Sequence, residues 1–220
     1  MFKYIFSLFL LSSHWCWSQN VDSLKVQPKA NQIKIGIDIS KPILHSFAKN
    51  IYGYEGYIDY YLRNEIYPVL ELGYGGSKFD YADLKFESTN SFVKVGFDKN
   101  MLQRTNEYDW DYLFFGLRYA TAFIQRSEGN YVTSDEIWGS TTGTIASKSF
   151  TGHWVELNAG VRVELLPRIF AGYNLRTKFL LNQQSFKELP PAYVAGYGKG
   201  EKATVFDMNF YLIYAFRWSR

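Results

Sequence analysis

The C-terminal stretch DMNFYLIYAFRWSR (207–220) indicates the fold class. Large apolar and aromatic side chains occupy every second position of it, namely Met208, Phe210, Leu212, Tyr214, Phe216 and Trp218. Because successive side chains of an extended chain point to opposite faces, this period of two predicts a β-strand with one continuous apolar face. Either a protein core or a lipid bilayer must cover such a face.

The composition favours the bilayer. The chain has 220 residues, enough for one domain, and 19% of them are aromatic. Its mean hydropathy is nevertheless −0.22, and no stretch approaches the roughly 20 apolar residues of a membrane helix. A chain that is rich in aromatics but polar on average is typical of a membrane β-barrel, whose strands alternate apolar outward and polar inward residues. The formal net charge of +3 is small and scattered, so we do not expect a nucleic acid partner.

The first twenty residues, MFKYIFSLFLLSSHWCWSQN, have the layout of a secretory signal peptide. Lys3 precedes an apolar run that is too short to be a membrane anchor. We predict a signal peptide over 1–18, a short periplasmic segment over 19–30 and a barrel over 31–220. Lipidation of Cys16 is the alternative, although the apolar and small residues that normally precede a lipidated cysteine are absent. Cleavage after residue 18 leaves no cysteine, and therefore no disulfide and no thiol catalysis.

Seven further segments show the same alternation as the C-terminal stretch. They are NQIKIGIDIS (31–40), YGYEGYIDYYL (52–62), IYPVLELGYG (66–75), SFVKVGFD (91–98), DYLFFGLRYATAF (111–123), HWVELNAGVRVEL (153–165) and IFAGYNLRTKFLL (169–181). Short connections (63–65 and 166–168) alternate with long ones. The connection between the fourth and fifth segments is an exception, because it is long where the alternation requires a short one. Outer-membrane barrels have an even strand count, short periplasmic turns and long extracellular loops.

We therefore predict an all-β fold, an eight-stranded antiparallel up-and-down transmembrane β-barrel with long extracellular loops and a plugged polar interior. A soluble sandwich or a lipocalin-like barrel is the alternative. Neither soluble fold requires the short connections to lie at one end and the long connections at the other. Either fold would also have to bury the charged register of the strands.

The opposite register of the strands is heavily charged. It contains Lys34, Asp38, Glu55, Asp59, Glu71, Lys94, Asp98, Arg118, Glu156, Arg162, Glu164, Arg176, Lys178, Asp207 and Arg217. An eight-stranded barrel is only wide enough for side chains to fill it, so we expect cross-strand ion pairs and hydrogen bonds that plug the interior. This excludes a porin-like channel and leaves a proton or ion pathway as the alternative to a structural core.

Few residues could carry catalysis. After removal of the signal peptide only His45 and His153 remain among the histidines, and His153 lies at the predicted outer end of the sixth strand, near Ser149 and Thr151. A lipid A-modifying enzyme that pairs His153 with a nucleophile is therefore an alternative function. Two distant histidines without cysteine do not predict a metal site. The glycines of VAGYGKG (194–200) lack the strand–loop–helix setting of a phosphate site, so no cofactor is expected.

The long loops favour a binding role. They combine tyrosine and tryptophan with serine, glycine and asparagine, which is the composition of adaptable binding surfaces. Long outer loops are also ordinary in such barrels. We predict that the loop aromatics contact a partner, in particular Tyr131, Trp138, Tyr193 and Tyr197.

Several stretches in this order resemble a family of small outer-membrane β-barrel proteins of Bacteroidota. They are GIDISKPI (36–43), YEGYIDYYL (54–62), PVLELGYG (68–75), GLRYATAF (116–123), GHWVELNAGVRVEL (152–165), AGYNLRTKFLL (171–181) and VAGYGKG (194–200). The family has Pro-Gly-Tyr-Gly in the last loop, where this chain has Ala195-Gly196-Tyr197-Gly198.

The resemblance covers the predicted barrel from its first strand to its last long loop, and it supplies no catalytic motif. It implies a non-enzymatic barrel that accompanies larger outer-membrane machinery. The best candidate is the β-barrel assembly machinery of outer-membrane protein biogenesis. The implied partners are a larger outer-membrane barrel protein and a surface-exposed lipoprotein, besides outer-membrane lipids and lipopolysaccharide.

Overall fold

The described part of the chain consists almost entirely of antiparallel β-strands. The computed structural model describes residues 30–47, 50–81, 83–104, 106–135, 139–187 and 189–219. The strands are β1 (Ala30–Asp38), β2 (Ile51–Tyr60), β3 (Ile66–Asp80), β4 (Leu84–Asn100), β5 (Tyr112–Arg126), β6 (Gly129–Asp135), β7 (Gly139–Ile145), β8 (Lys148–Leu166), β9 (Ile169–Leu180) and β10 (Thr204–Ser219). One α-helix, α1 (Ser40–Phe47), and two 3-10 turns (Arg63–Glu65 and Gln183–Phe186) complete the described elements. The predicted signal peptide lies outside the described residues.

Eight of these strands close into a barrel. The sheet runs in the order β3-β2-β1-β10-β9-β8-β5-β4, and β3 also pairs with β4. The first and last strands pair antiparallel, with Ile33 opposite Phe216 and Ile37 opposite Leu212. The C-terminal strand therefore has a neighbour on both sides. This confirms the eight-stranded antiparallel barrel that the period-two segments predicted.

The barrel is apolar outside and polar inside. On β10, Leu212 faces outward with 49% of its surface exposed, whereas the next residue inward, Tyr211, is 2% exposed. Most of the other outward residues of β10 and of the remaining barrel strands are also apolar, and many of them are large and exposed. An exposed apolar wall around a polar interior is the arrangement of a transmembrane β-barrel. The apolar face of the C-terminal stretch thus belongs to the exposed outer wall of the barrel.

Two connections differ from the sequence prediction, because strands continue beyond the barrel wall. The expected loop between the third and fourth strands is mostly a hairpin, in which β3 and β4 remain paired as far as Asp80 opposite Lys85. The stacked rings of Phe79 and Phe86, 5.1 Å apart, and the opposite charges beside them stabilise it. In the next long connection, β6 and β7 form a hairpin that joins β4.

Helix α1 was not predicted. It follows β1 directly, and its first residue, Ser40, donates a backbone hydrogen bond to Asp38 Oδ1 at 2.8 Å. Pro42 lies in the first turn, where a missing backbone N–H costs nothing. Within the described ranges, no helix has the length and apolarity needed to cross a membrane.

Candidate functional site

A cluster of ion pairs fills the middle of the barrel. Arg176 Nη1 lies 2.9 Å from Glu55 Oε1, and Arg176 Nη2 lies 3.1 Å from Glu71 Oε1. Lys94 Nζ lies 3.2 to 3.3 Å from carboxylate oxygens of Glu55, Glu71 and Glu156. These side chains are almost fully buried, because strand alternation points all of them inward. Since a buried charge is tolerated only with a partner, the cluster depends on its own balance of acids and bases.

Two further ion pairs extend the cluster. Arg118 Nη2 lies 2.7 Å from Asp98 Oδ1. Lys34 Nζ lies 3.0 Å from Asp59 Oδ2 and donates a hydrogen bond to the hydroxyl of Tyr112 at 2.9 Å. Lys34 and Asp98 are therefore buried and paired, like most of the other charged residues of this register.

Arg162 is held differently. No ion pair of Arg162 is found among the described residues; instead it donates a hydrogen bond to Asn174 Oδ1 at 2.5 Å. Its guanidinium lies 4.8 Å from the ring centre of Phe114, 5.0 Å from that of Tyr57 and 5.4 Å from that of Tyr211. Cation–π contacts and a hydrogen bond thus replace the expected ion pair.

The remaining charged residues of the inward register lie towards the two rims. At the end with long loops, Asp207 accepts hydrogen bonds from Lys178 and Lys41, both at 2.7 Å. At the end with short turns, Arg217 Nη2 lies 2.7 Å from Glu164 Oε2. Asp38 accepts hydrogen bonds from Ser40 and Asn209 near the end of β1. All of the charged residues in this register point inward or into a rim.

Aromatic layers cover the charged layer on both sides. On the short-turn side, the rings of Tyr67 and Tyr112 stack 4.5 Å apart within a buried cluster that also includes Trp110. On the long-loop side, Phe92 and Trp154 belong to a second buried cluster. Since the described side chains of all three layers are buried, these residues form the core of the barrel.

The connection between β4 and β5 closes the short-turn mouth. Arg104 from this connection forms a two-point ion pair with Glu65, with Nε–Oε1 at 3.0 Å and Nη2–Oε2 at 2.9 Å. The Arg104 guanidinium also lies 4.9 Å from the ring centre of Trp110. Burial raises the pKa of Glu65, but the hydrogen bonds from Arg104 and Asn100 outweigh this effect and hold the pKa below its usual value. The unusual length of this connection is therefore explained by its role as a cover.

The last long loop plugs the opposite mouth. Its turn is closed by a hydrogen bond from the backbone N–H of Val194 to the carbonyl of Gly198 at 2.7 Å. The side-chain amide of Asn90 binds both the N–H (2.9 Å) and the carbonyl (3.0 Å) of Ala195. Gly196 has φ +82°, and its Cα faces the ring of Phe92 so closely that an added Cβ would lie 2.8 Å from it. Only glycine fits this conformation and this space.

This plug corrects the expectation for Tyr197. The side chain is 1% exposed and packs on Trp154, with the ring centres 5.4 Å apart. Burial raises the pKa of its hydroxyl to about 12. A residue enclosed in this way cannot contact a partner, so we remove Tyr197 from the candidate contact residues. Tyr193 is partly buried beside it, where its backbone N–H donates to Ser77 Oγ at 3.2 Å.

The other two candidate contact residues belong to the β6–β7 connection. Tyr131 of β6 is 37% exposed, and its ring lies against Gly143 of β7. Trp138 lies outside the described residues. A contact role for these two aromatics stays a prediction.

His153 lies on the outward wall of β8. Its Nδ1 is 3.1 Å from the hydroxyl of Tyr119 and 3.2 Å from Oγ1 of Thr121, and its backbone N–H donates to Asn182 Oδ1 at 2.8 Å. None of the hydrogen bonds found among the described residues joins the ring to Ser149, to Thr151 or to a carboxylate. Among the described residues, the hydrogen-bonding partners of the ring are thus two hydroxyl groups. In the same part of the chain, no group of three acidic, histidine or cysteine residues is arranged to hold a metal.

Comparison with known proteins adds a family but no function. The chain is similar to Ail, the attachment invasion locus protein of Yersinia pestis, with 13% identity over 86% of this chain and 100% of that one and a TM-score of 0.45. It is also similar to the N-terminal β-barrel domain of Pseudomonas aeruginosa OprF, with 14% identity over 86% and 98% of the two chains and a TM-score of 0.33. No curated protein matches the sequence. Residues 1–217 match the family described as a domain of unknown function, DUF6048, and the chain belongs to that family.

Proposed function

We propose that the protein is an integral outer-membrane barrel with its termini in the periplasm and its long-loop end outside the cell. The apolar wall supports a membrane location, and short turns with long loops at opposite ends support this orientation. The predicted signal peptide supports export across the inner membrane. Outer-membrane lipids and lipopolysaccharide then surround the wall.

We further propose that the barrel is a non-enzymatic interaction subunit of a larger outer-membrane complex. The observation that carries this proposal is the sheet that stands above the barrel wall. There β6 joins the tip of β4, with Leu84 opposite Tyr131, and β7 is the last strand in the sheet order. The side chains described for β7 are exposed or only partly buried. The free edge of such a strand is a template for a strand of another protein.

A groove lies beside this edge and offers a second element of recognition. It has a volume of about 510 Å³. It is lined by Asp83, Leu84, Lys85, Asn130, Tyr131, Val132, Thr142, Gly143 and Thr144. Its lining combines an aromatic ring, apolar groups, hydroxyls and charges of both signs, so a partner can gain contact area and hydrogen bonds together.

The best candidate for the complex is the β-barrel assembly machinery, with a larger barrel protein beside the wall and a surface lipoprotein above the loops. The sequence resemblance to small Bacteroidota barrels supports this choice.

A tagged form purified in mild detergent tests the interaction. We expect an outer-membrane barrel protein or a lipoprotein to co-purify with the natural sequence and to be lost with Tyr131→Ser, because aromatic side chains dominate interface energies. Tyr108→Ser is the matched control, since Tyr108 is an exposed tyrosine at the opposite end of the barrel. Loss of the partner with Tyr108→Ser and not with Tyr131→Ser would place recognition at the periplasmic end and overturn the proposal.

The absence of enzymatic activity is tested separately. His153→Ala is expected to leave the mass spectrum of lipid A unchanged. A change in that spectrum on this substitution would favour the lipid A-modifying alternative.

A further inference from the structure

Helix α1 takes the place of a strand in the barrel wall. β1 ends at Asp38, opposite Tyr211 of β10, whereas β10 begins seven residues earlier at Thr204. On the other side, β2 extends five residues beyond Gly56, its last residue paired with β1. The long-loop ends of β2 and β10 therefore extend past β1, and α1 packs against both of these strands there.

The side of α1 that faces the barrel is polar. Lys41 Nζ reaches inward to Asp207 of β10 at 2.7 Å. His45, one helical turn later, has Nδ1 2.6 Å from the carbonyl oxygen of Ile51 in β2. Residues four positions apart share one face of a helix, so Lys41 and His45 define the inner face of α1.

The opposite side of α1 is apolar. Ile43 and Phe47 are also four positions apart, and each lies two positions from an inner-face residue, which turns it about 200° around the axis. Phe47 is 85% exposed, and Ile43 and Leu44 are more than half exposed. A helix in water shows the reverse pattern, with its apolar face against the protein. An apolar environment must therefore surround the outer face of α1.

The surroundings of α1 identify that environment. Next to it, Ile37 near the end of β1 and Ile39 directly after the strand are exposed members of the apolar outer wall. Beside it, the ring of His45 lies 6.3 Å from that of Tyr52, whose hydroxyl is 3.4 Å from that of Tyr74. Outward tyrosines at one end of a membrane wall mark the boundary between acyl chains and head groups. The apolar surface of the wall thus continues into the apolar face of α1 at this boundary.

We infer that α1 is an interfacial helix whose outer face, formed by Ile43 and Phe47, is immersed among the acyl chains of the outer leaflet near the head groups. Amphipathic helices bind in this way with their apolar face at the head-group boundary. The sequence of α1, SKPILHSF, contains no carboxylate that anionic lipids would repel. The inference rests on the transmembrane fold and is independent of any protein partner.

Fluorescence quenching in lipid vesicles tests the inference. The full mature chain carries a single cysteine, introduced as Phe47→Cys and labelled with an environment-sensitive dye, in vesicles of phosphatidylcholine and phosphatidylglycerol. A second variant, Ile43→Cys, places the dye at another position of the outer face and shows whether the result at position 47 is specific to that substitution. Leu157→Cys in the middle of β8 serves as the buried-in-lipid control, and Thr142→Cys on exposed β7 as the water control.

We expect the dyes at positions 43 and 47 to be quenched strongly by a nitroxide near the lipid head group and weakly by iodide. The dye at Leu157 should respond most to a nitroxide deep in the acyl chains, and the dye at Thr142 to iodide alone. Iodide quenching at position 47 equal to that at Thr142 would show that α1 lies in water. Protection from both quenchers would show that protein covers the helix. Either result overturns the inference, and neither bears on the proposed interaction at β6 and β7.

Discussion

Glu71 of β3 and Lys94 of β4 lie directly opposite each other in the barrel register, with Oε2 and Nζ 3.3 Å apart and both side chains fully buried. Lys94 contacts Glu55 and Glu156 as well, so one ammonium group compensates three carboxylates together with the neighbouring arginines. The low dielectric of the interior strengthens the attraction within each ion pair. It also raises the cost of leaving one of these charges unpaired.

Lys94→Met should therefore be strongly destabilising. Removing one partner of a buried ion pair costs about 3–5 kcal/mol, since the other charge remains buried and unpaired. Urea unfolding of the barrel in lipid vesicles, followed by the mobility of unheated samples on denaturing gels, measures the loss. Lys85→Met is the control: Lys85 pairs with Asp80 on the surface, and exposed pairs contribute less than about 1 kcal/mol. Equal effects of the two substitutions would contradict a structural role for the central cluster.

Leu157→Arg tests the membrane-facing wall. Leu157 is an exposed residue in the middle of β8, with Leu117 and Thr177 opposite it on the neighbouring strands. An arginine on the lipid face of a barrel costs about 2–4 kcal/mol at the bilayer midplane, so the variant should assemble poorly. Thr142→Arg, on exposed β7, should assemble normally. A fully assembled, heat-modifiable Leu157→Arg barrel would argue against a lipid environment.

The Glu65–Arg104 pair should make stability depend on pH in the acid range. The folded pKa of Glu65 lies below its unfolded value, so the pair contributes its full stability above about pH 4.3, the unfolded pKa of glutamate. The contribution is lost as the pH falls through the lower, folded pKa. The difference in urea midpoint between the natural sequence and Glu65→Gln should therefore shrink on acidification. Glu128→Gln, at an exposed position, should show no such difference. A difference that grows at low pH would contradict this assignment.

Gly196→Ala should expel the plug from the long-loop mouth. A Cβ there requires both a left-handed backbone and 2.8 Å contact with Phe92. Gly139→Ala is a matched control, because Gly139 has φ +76° but nothing within 4 Å of an added Cβ. Limited proteolysis should cut the last loop readily in Gly196→Ala and not in Gly139→Ala, while both barrels stay heat-modifiable. Equal resistance of both variants would show that the plug does not depend on this contact.

The sequence predicts the barrel well, because every membrane-crossing strand must alternate between lipid and interior. The period-two alternation is lost in segments that lie outside the barrel wall. The segment GSTTGTI in β7 has no apolar alternation, and its strand exists only because β6 lies beside it. Helix α1 is eight residues long, too short for a helical period to be recognised, although the pairs Lys41–His45 and Ile43–Phe47 are its signature in retrospect.

The site residues show the same division. The inward position of the charged residues follows from register alone, because the side-chain period of a strand is two. The burial of Tyr197 does not, because it depends on Asn90 binding Ala195 across 105 residues of sequence. The glycines at 196 and 198 indicate a tight turn, but only the contact with Phe92 places that turn inside the barrel.

Photo-crosslinking in living cells tests whether the barrel is an interaction subunit, since it reports neighbours in the intact membrane. A photoreactive amino acid replaces Val132 of β6 in one strain and Tyr108 at the opposite end in another, both exposed positions. We predict that Val132 crosslinks to a second outer-membrane protein, a large barrel or a surface lipoprotein, and that Tyr108 does not. No protein adduct at Val132, with or without an adduct at Tyr108, would contradict an interaction subunit that binds its partner through the long-loop end.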